Sequence, residues 1–267
     1  MKTKKKFPVF VLLICIPLFC LSSFKVSSQL LVDHRQNQTF AALVEQVNQA
    51  RSNPEMSVET NVDASEQDSA ETVVEPTILS AYAPLYAQNS DLFGWIEIED
   101  TVVNYPVMHT PDDPEFYLHR AFDRSEAYSG VPFLDGYCFL GCGNYIVYGH
   151  NMKNKTMFKT ITYYADKSYW QEHPTIRFDT LYETGTYDVV AAFYSQIYSE
   201  NATNVFRYYQ YTDLRDEESF TEYAELVKAN ALYETGLELE YGDQLLTLST
   251  CEYHKTDGRF VIVAKKR

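Results

Sequence analysis

"LLTLSTCEYHKTDGRFVIVAKKR", residues 245–267, holds two runs of strand-forming residues joined by a short polar link. β-Branched and aromatic residues crowd both runs, and the link "EYHKTDG" (252–258) ends in turn formers, so the stretch reads as a hairpin. Side chains alternate along a strand. Leu246, Leu248 and Thr250 therefore face one way, and Thr247, Ser249 and Cys251 the other. The first set suits a core. The second places a thiol beside small hydroxyl residues, an arrangement that leaves room for a ligand. Across the hairpin Arg259 shares a face with Val261 and Val263, so a thiol and a guanidinium are expected side by side.

Working outward, the chain offers about six more strand signals, bounded by Gly, Asp or Asn. They are Trp95–Ile98, "TVVNYPVMH" (101–109), "GVPFLD" (130–135), "NYIVYGH" (144–150), "TIRFDT" (175–180) and "TYDVVAAFYSQIY" (186–198). Pro106 lacks a backbone donor, which marks its strand as an edge or a strand end. The 22 Tyr and 16 Phe agree with a β-rich body. Helix signals are few: the part of "ILSAYAPLYAQNSDLFGWIEIED" (78–100) that leads into the first strand, "TMFKTITYYA" (156–165) and "DLRDEESFTEYAELVKANALY" (213–233). In the last, Phe220, Tyr223, Ala224 and Val227 repeat at helical spacing behind an acidic first turn. Many short strands with little helix predict a closed or partly closed β-barrel.

The N-terminal region differs. MKTKKK is followed by 18 uncharged residues, Phe7 to Phe24, enough to span a bilayer. Lysines ahead of such a segment predict a cytoplasmic N-terminus and an extracytoplasmic body. A cleaved signal peptide is the competing reading, but the apolar run is long and no A-x-A site follows it. A lipid-modified Cys20 fits poorly with bulky Phe19 before it. Residues 25–76 read as a stalk: a modest helical pattern (Phe40, Leu43, Val44, Val47), then a polar, acidic stretch over 51–76 with the composition of a spacer. The expected organisation is a basic tail (1–6), a membrane anchor (7–24), a stalk (25–76) and a catalytic domain (77–267). Formal net charge is −15, or −19 once the four lysines among the first six residues are set aside. That body is expected to bind no nucleic acid.

A nucleophilic cysteine needs an acid–base partner. Among six histidines, His34 lies in the stalk, and His109, His119 and His173 sit in polar, turn-rich stretches. His254 falls in the hairpin link. His150 ends a strand where the chain turns into a loop, a common station for a working side chain.

"TLSTC" (247–251), "YGHNM" (148–152) and "DGRFVIVAK" (257–265) together resemble the sortases, cysteine transpeptidases of Gram-positive cell surfaces. "DLFGWIEIEDTVVNYPVMHTPDDPEFYL" (91–118), "VPFLD" (131–135) and the helix ahead of the cysteine strand resemble class B members. The resemblance spans about residues 78–267. It implies a mainly β, sortase-type eight-stranded β-barrel with a few helices, an N-terminal helical extension and a helix before the cysteine strand. It also implies roles. Cys251 attacks the carbonyl of a Thr in a sorting signal and forms a thioester; His150 serves as acid and then base; Arg259 donates hydrogen bonds to substrate carbonyls or the oxyanion. Ser249 and Glu252 match positions lining the substrate groove. The implied partners are secreted proteins bearing a C-terminal sorting signal, and an amine acceptor on peptidoglycan or a pilin subunit. No cofactor or metal is implied. Two other readings share the residues: a cysteine peptidase or amidase acting on cell-wall peptides, and an anchored assembly factor without activity.

Cys138 and Cys142, in "GYCFLGCGN" (136–144), depart from the family pattern. A disulfide and two free thiols both fit an exported chain with few cysteines. Zinc needs further ligands, and no second cysteine pair supplies them.

Overall fold

The computed structural model describes residues 9–52, 76–251 and 256–267. The basic tail 1–6, most of the expected spacer and residues 252–255 of the hairpin link, Glu252 and His254 among them, lie outside the described residues.

Eight strands form among the described residues, at the places the sequence indicates: β1 (Leu92–Glu97), β2 (Asn104–Met108), β3 (Phe133–Leu134), β4 (Asn144–Gly149), β5 (Thr175–Thr180), β6 (Thr186–Gln196), β7 (Leu245–Cys251) and β8 (Gly258–Lys266). They close into a barrel in the order β1-β2-β3-β4-β7-β8-β6-β5. The β2–β3 and β4–β7 pairs are parallel and the rest antiparallel. Closure gives every one of these strands two neighbours, which removes the open edges of a flat sheet. Pro106 lies opposite Trp95 of β1, while β2 meets β3 only at Met108, so the missing N–H falls where β2 has no second partner among the described residues. Gly94 is required where β1 crosses β5: a Cβ there would lie 2.1 Å from the Asp179 carbonyl oxygen.

Four α-helices accompany the barrel among the described residues: α1 (Val9–Ser52), α2 (Ala83–Gln88), α3 (Lys167–Glu172) and α4 (Glu217–Asn230). Asp216 caps α4 by accepting from the Ser219 amide, and Glu217 and Glu218 occupy its first turn. Its apolar stripe buries Phe220, Tyr223 and Val227, each worth about 1.5–3 kcal/mol. α3 has no counterpart in the sequence reading; its six residues are too few for a periodic signal.

The hairpin reading needs one correction. Leu246 and Leu248 are buried as expected, but Thr247 and Ser249 are equally buried. The thiol-bearing face is covered, because α4 and the turn at Tyr208–Gln210 pack over it with Phe193, Val261 and Val263. Tyr223 Oη bonds Thr247 Oγ1 at 2.8 Å and Tyr208 Oη bonds Ser249 Oγ at 2.7 Å. The small hydroxyl residues make room for tyrosines of the protein itself, and the face opens only at Cys251.

The chain divides into two compact units at Ala42/Leu43. α1, with Pro17 inside it, is long and apolar enough to cross a membrane. Ile16, Leu18, Phe19, Leu21 and Phe24 are exposed along it. Within the second unit Leu43 and Val47 are buried, and Arg51 donates to Glu97 Oε2 (3.0 Å), Asp179 Oδ2 (3.0 Å) and Tyr82 Oη (2.7 Å). The Asp179 side chain is 1% exposed, and Arg177 also bonds it. A buried carboxylate needs such partners.

Candidate active site

Three neighbouring strands converge on one end of the barrel. In the β7–β8 ladder Cys251 lies opposite Arg259. In the parallel β4–β7 ladder Gly149 lies opposite Thr250, so the next step along both strands brings His150 beside Cys251. Topology thus orders the ends as His150, Cys251, Arg259. All three border one groove of about 1100 Å³, together with Leu118, Tyr137, Phe139, Tyr209 and Ser249.

Local structure fixes each position. Gly149 precedes His150 because a Cβ there would lie 2.6 Å from the Phe158 ring. The Phe158 amide donates to the His150 carbonyl at 2.9 Å, closing the loop that follows β4. Thr250 Oγ1 donates to the Gly149 carbonyl at 2.7 Å, and Asn151 Nδ2 donates to the Cys251 carbonyl at 2.7 Å. These two bonds tie the histidine and cysteine strands together at the point where chemistry is expected.

The His150 ring is held from two sides. Its Nε2–H donates to the Leu118 carbonyl at 2.8 Å, which assigns the acceptor lone pair of the neutral ring to Nδ1. His119 stacks on it with centroids 5.4 Å apart, and Tyr128 lies parallel to it at 6.4 Å. Burial lowers the His150 pKa below the ordinary imidazole value, the carbonyl bond opposes that, and the charge of His119 adds to the lowering. Arg259 Nη1 donates to the carbonyls of Asp257 (3.2 Å) and Gly258 (3.0 Å), which steadies the guanidinium at the hairpin corner. Asp257 holds a positive φ of 55° at that corner.

Ser249, expected to line the groove, does border it, but its hydroxyl is engaged by buried Tyr208. Glu252 lies outside the described residues. His119 and Tyr128 are participants the sequence reading passed over. Both stand far from "TLSTC" in sequence, and His119 sits in a short 3-10 turn (Phe116–His119) with no periodic signal. His109 is half-buried against Phe93 and does not border the groove. Among the described residues no cluster of three or more His, Cys, Asp or Glu could hold a metal.

A closed barrel with a thiol, an imidazole and a guanidinium at adjacent strand ends is the architecture of a cysteine transpeptidase. A sortase-domain family model matches residues 96–267, and the chain belongs to the sortase family. Its similarity is to sortase B. Sortase B of Listeria monocytogenes is 32% identical over 206 residues, covering 74% of this chain and 79% of that protein. Sortase B of Staphylococcus aureus is 31% identical over 181 residues, covering 66% of this chain and 70% of that protein. The solved S. aureus sortase B–substrate complex superposes with a TM-score of 0.70 at 23% identity, over 88% of this chain and 97% of that one, and so has the same fold.

Proposed function

We propose that this sortase B-like transpeptidase cleaves a C-terminal sorting signal after Thr through Cys251 and passes the acyl group to an amine. The observation carrying this reading is the ladder register that sets His150 and Arg259 on either side of Cys251 at one groove. The Cys251 thiolate attacks the Thr carbonyl carbon, and negative charge develops on the carbonyl oxygen. Arg259 meets that charge with N–H donors of fixed geometry. The C–N bond breaks as His150 gives its proton to the leaving amine, leaving a Cys251 thioester. An incoming amine then attacks the thioester, His150 takes its proton, and the thiolate is restored.

The amine acceptor is a peptidoglycan peptide or a pilin lysine, and the donors are secreted proteins carrying the sorting signal. The S. aureus sortase B of the same fold was solved as a substrate complex, which supports a groove-bound substrate here as well. The apolar segment of α1 supports anchoring, with the barrel outside the cell.

A fluorogenic sorting-peptide assay with and without an added amine tests this. Transpeptidation predicts product that contains the amine. Cleavage that ignores the amine favours a cysteine peptidase or amidase, and no cleavage favours an inactive assembly factor.

A further inference from the structure

The transfer chemistry leaves one pair of reactive groups unused. Cys138 and Cys142 lie in the loop between β3 and β4, 2% and 0% exposed. Both sulfurs donate to one acceptor, the Asn144 carbonyl, at 3.4 and 3.3 Å, which holds the two thiols side by side. The Ile146 amide donates to Cys138 Sγ at 3.4 Å. A tight turn keeps the pair together: the Cys142 amide donates to the Phe139 carbonyl at 3.1 Å, and Gly141 takes the left-handed conformation (φ 80°). The turn covering the pair is itself at the surface, with Phe139 39% and Leu140 45% exposed, so a small local opening uncovers both sulfurs. Tyr137 and Phe139 of this loop border the groove of Cys251.

We propose that Cys138 and Cys142 are a redox-active dithiol that closes to a disulfide by exchange with a small disulfide such as glutathione disulfide. Two buried thiols gathered on one carbonyl, beneath a turn that lies at the surface, are what such a site requires; a structural core cysteine needs no such neighbour. Their acidities are split in the useful direction. The neighbouring Cys138 lowers the pKa of the Cys142 thiol, while the same pairing and burial push Cys138 up. An attacking thiol works best with a pKa near ambient pH. Arg215, stacked 4.7 Å from the Phe139 ring, adds positive charge near Cys142.

The Cys142 thiolate attacks one sulfur of the small disulfide and releases a glutathione thiolate. That thiolate takes the Cys138 proton. The Cys138 sulfur then attacks the Cys142 sulfur and expels the second glutathione. Two protein thiols and one glutathione disulfide become one protein disulfide and two glutathiones. The bond draws the two sulfurs to about 2.05 Å and clasps the loop whose side chains wall the groove.

The test uses the full chain in detergent, as the Cys251→Ala variant so that the catalytic thiol does not compete. The protein is equilibrated with glutathione disulfide, alkylated and digested with trypsin. Residues 125–153 form one peptide containing both cysteines and no other. The proposal expects that peptide to be unalkylated and about two mass units lighter than its reduced form, with circular dichroism unchanged. Dithiothreitol should restore two alkyl groups. Cys138→Ser should instead leave a persistent glutathione adduct on Cys142. A peptide that stays doubly alkylated, an adduct retained on each cysteine, or a disulfide that appears only with loss of the native spectrum would each overturn the proposal. None of these readouts depends on whether Cys251 performs acyl transfer.

Discussion

At Arg259 the chemistry asks for more than a charge. If the guanidinium positions and stabilises an oxyanion, Arg259→Lys keeps the charge, loses the planar fork and lowers kcat/KM by on the order of 10²-fold or more. Near wild-type turnover in that variant would leave Arg259 only a long-range electrostatic role. Cys251→Ala should abolish product formation, and His150→Ala should cost on the order of 10²–10⁴-fold, since one imidazole serves both half-reactions. Circular dichroism should show all three folded, because the side chains stand at strand ends. The stacked pair His119 and His150 gives a pH prediction. Burial disfavours the His150 cation, and a charged His119 disfavours it further. The kcat/KM limb governed by His150 therefore lies below 6.5, the ordinary imidazole value. His119→Phe keeps a ring in the stack but removes the neighbouring charge, so that limb should move to higher pH. An unmoved limb would mean the two rings do not communicate. Stability follows the same sign. For His109 and His150 the unfolded chain takes up protons first as pH falls below 6.5, so their contribution is complete above that value and is lost below it. Denaturant midpoints should fall accordingly between pH 7 and 5.

Among the elements, the hairpin of β7 and β8 carries the thiol and the guanidinium, and β4 brings the histidine through a parallel pairing 101 residues away in the chain. The loop between β3 and β4 lends Tyr137 and Phe139 to the groove wall. If its cysteines take no part in acyl transfer, a Cys138→Ser/Cys142→Ser variant should keep most of its turnover under reducing conditions in the sorting-peptide assay. Loss of activity with the fold intact would assign them a catalytic task. α4 acts from behind: its Tyr223, with Tyr208 ahead of it, fills the face of β7 that would otherwise gape beneath Cys251.

For the molecule as a whole, the end of α1 is fastened to the barrel by a half-buried ion cluster. Arg51→Ala removes three hydrogen bonds and leaves the buried Asp179 to Arg177 and Tyr82. The expected loss is about 1–3 kcal/mol, read by denaturant unfolding; an unchanged midpoint would show the fastening to be dispensable. Topology supplies the other prediction. With the N-terminus inside and the barrel outside, protease added to intact protoplasts should digest the catalytic domain while a cytosolic marker survives. A protected domain would reverse the orientation.

The eight strands, the amphipathic α4 and the apolar N-terminal segment were legible because each is a local pattern: alternation, a 3.6-residue repeat, an uncharged run. The pairing of Cys251 with Arg259 was legible too, since a hairpin fixes its own register. Other features depended on contacts between distant segments. Nothing near Thr247 or Ser249 announces that Tyr223 and Tyr208 will cover them, so an open hydroxyl face was expected where a filled one exists. Nothing near His150 announces that Leu118 and His119, some thirty residues earlier, will hold its ring. Alternation tells which side chains share a face, but only the closed barrel and its packing decide whether that face meets solvent, substrate or another part of the chain.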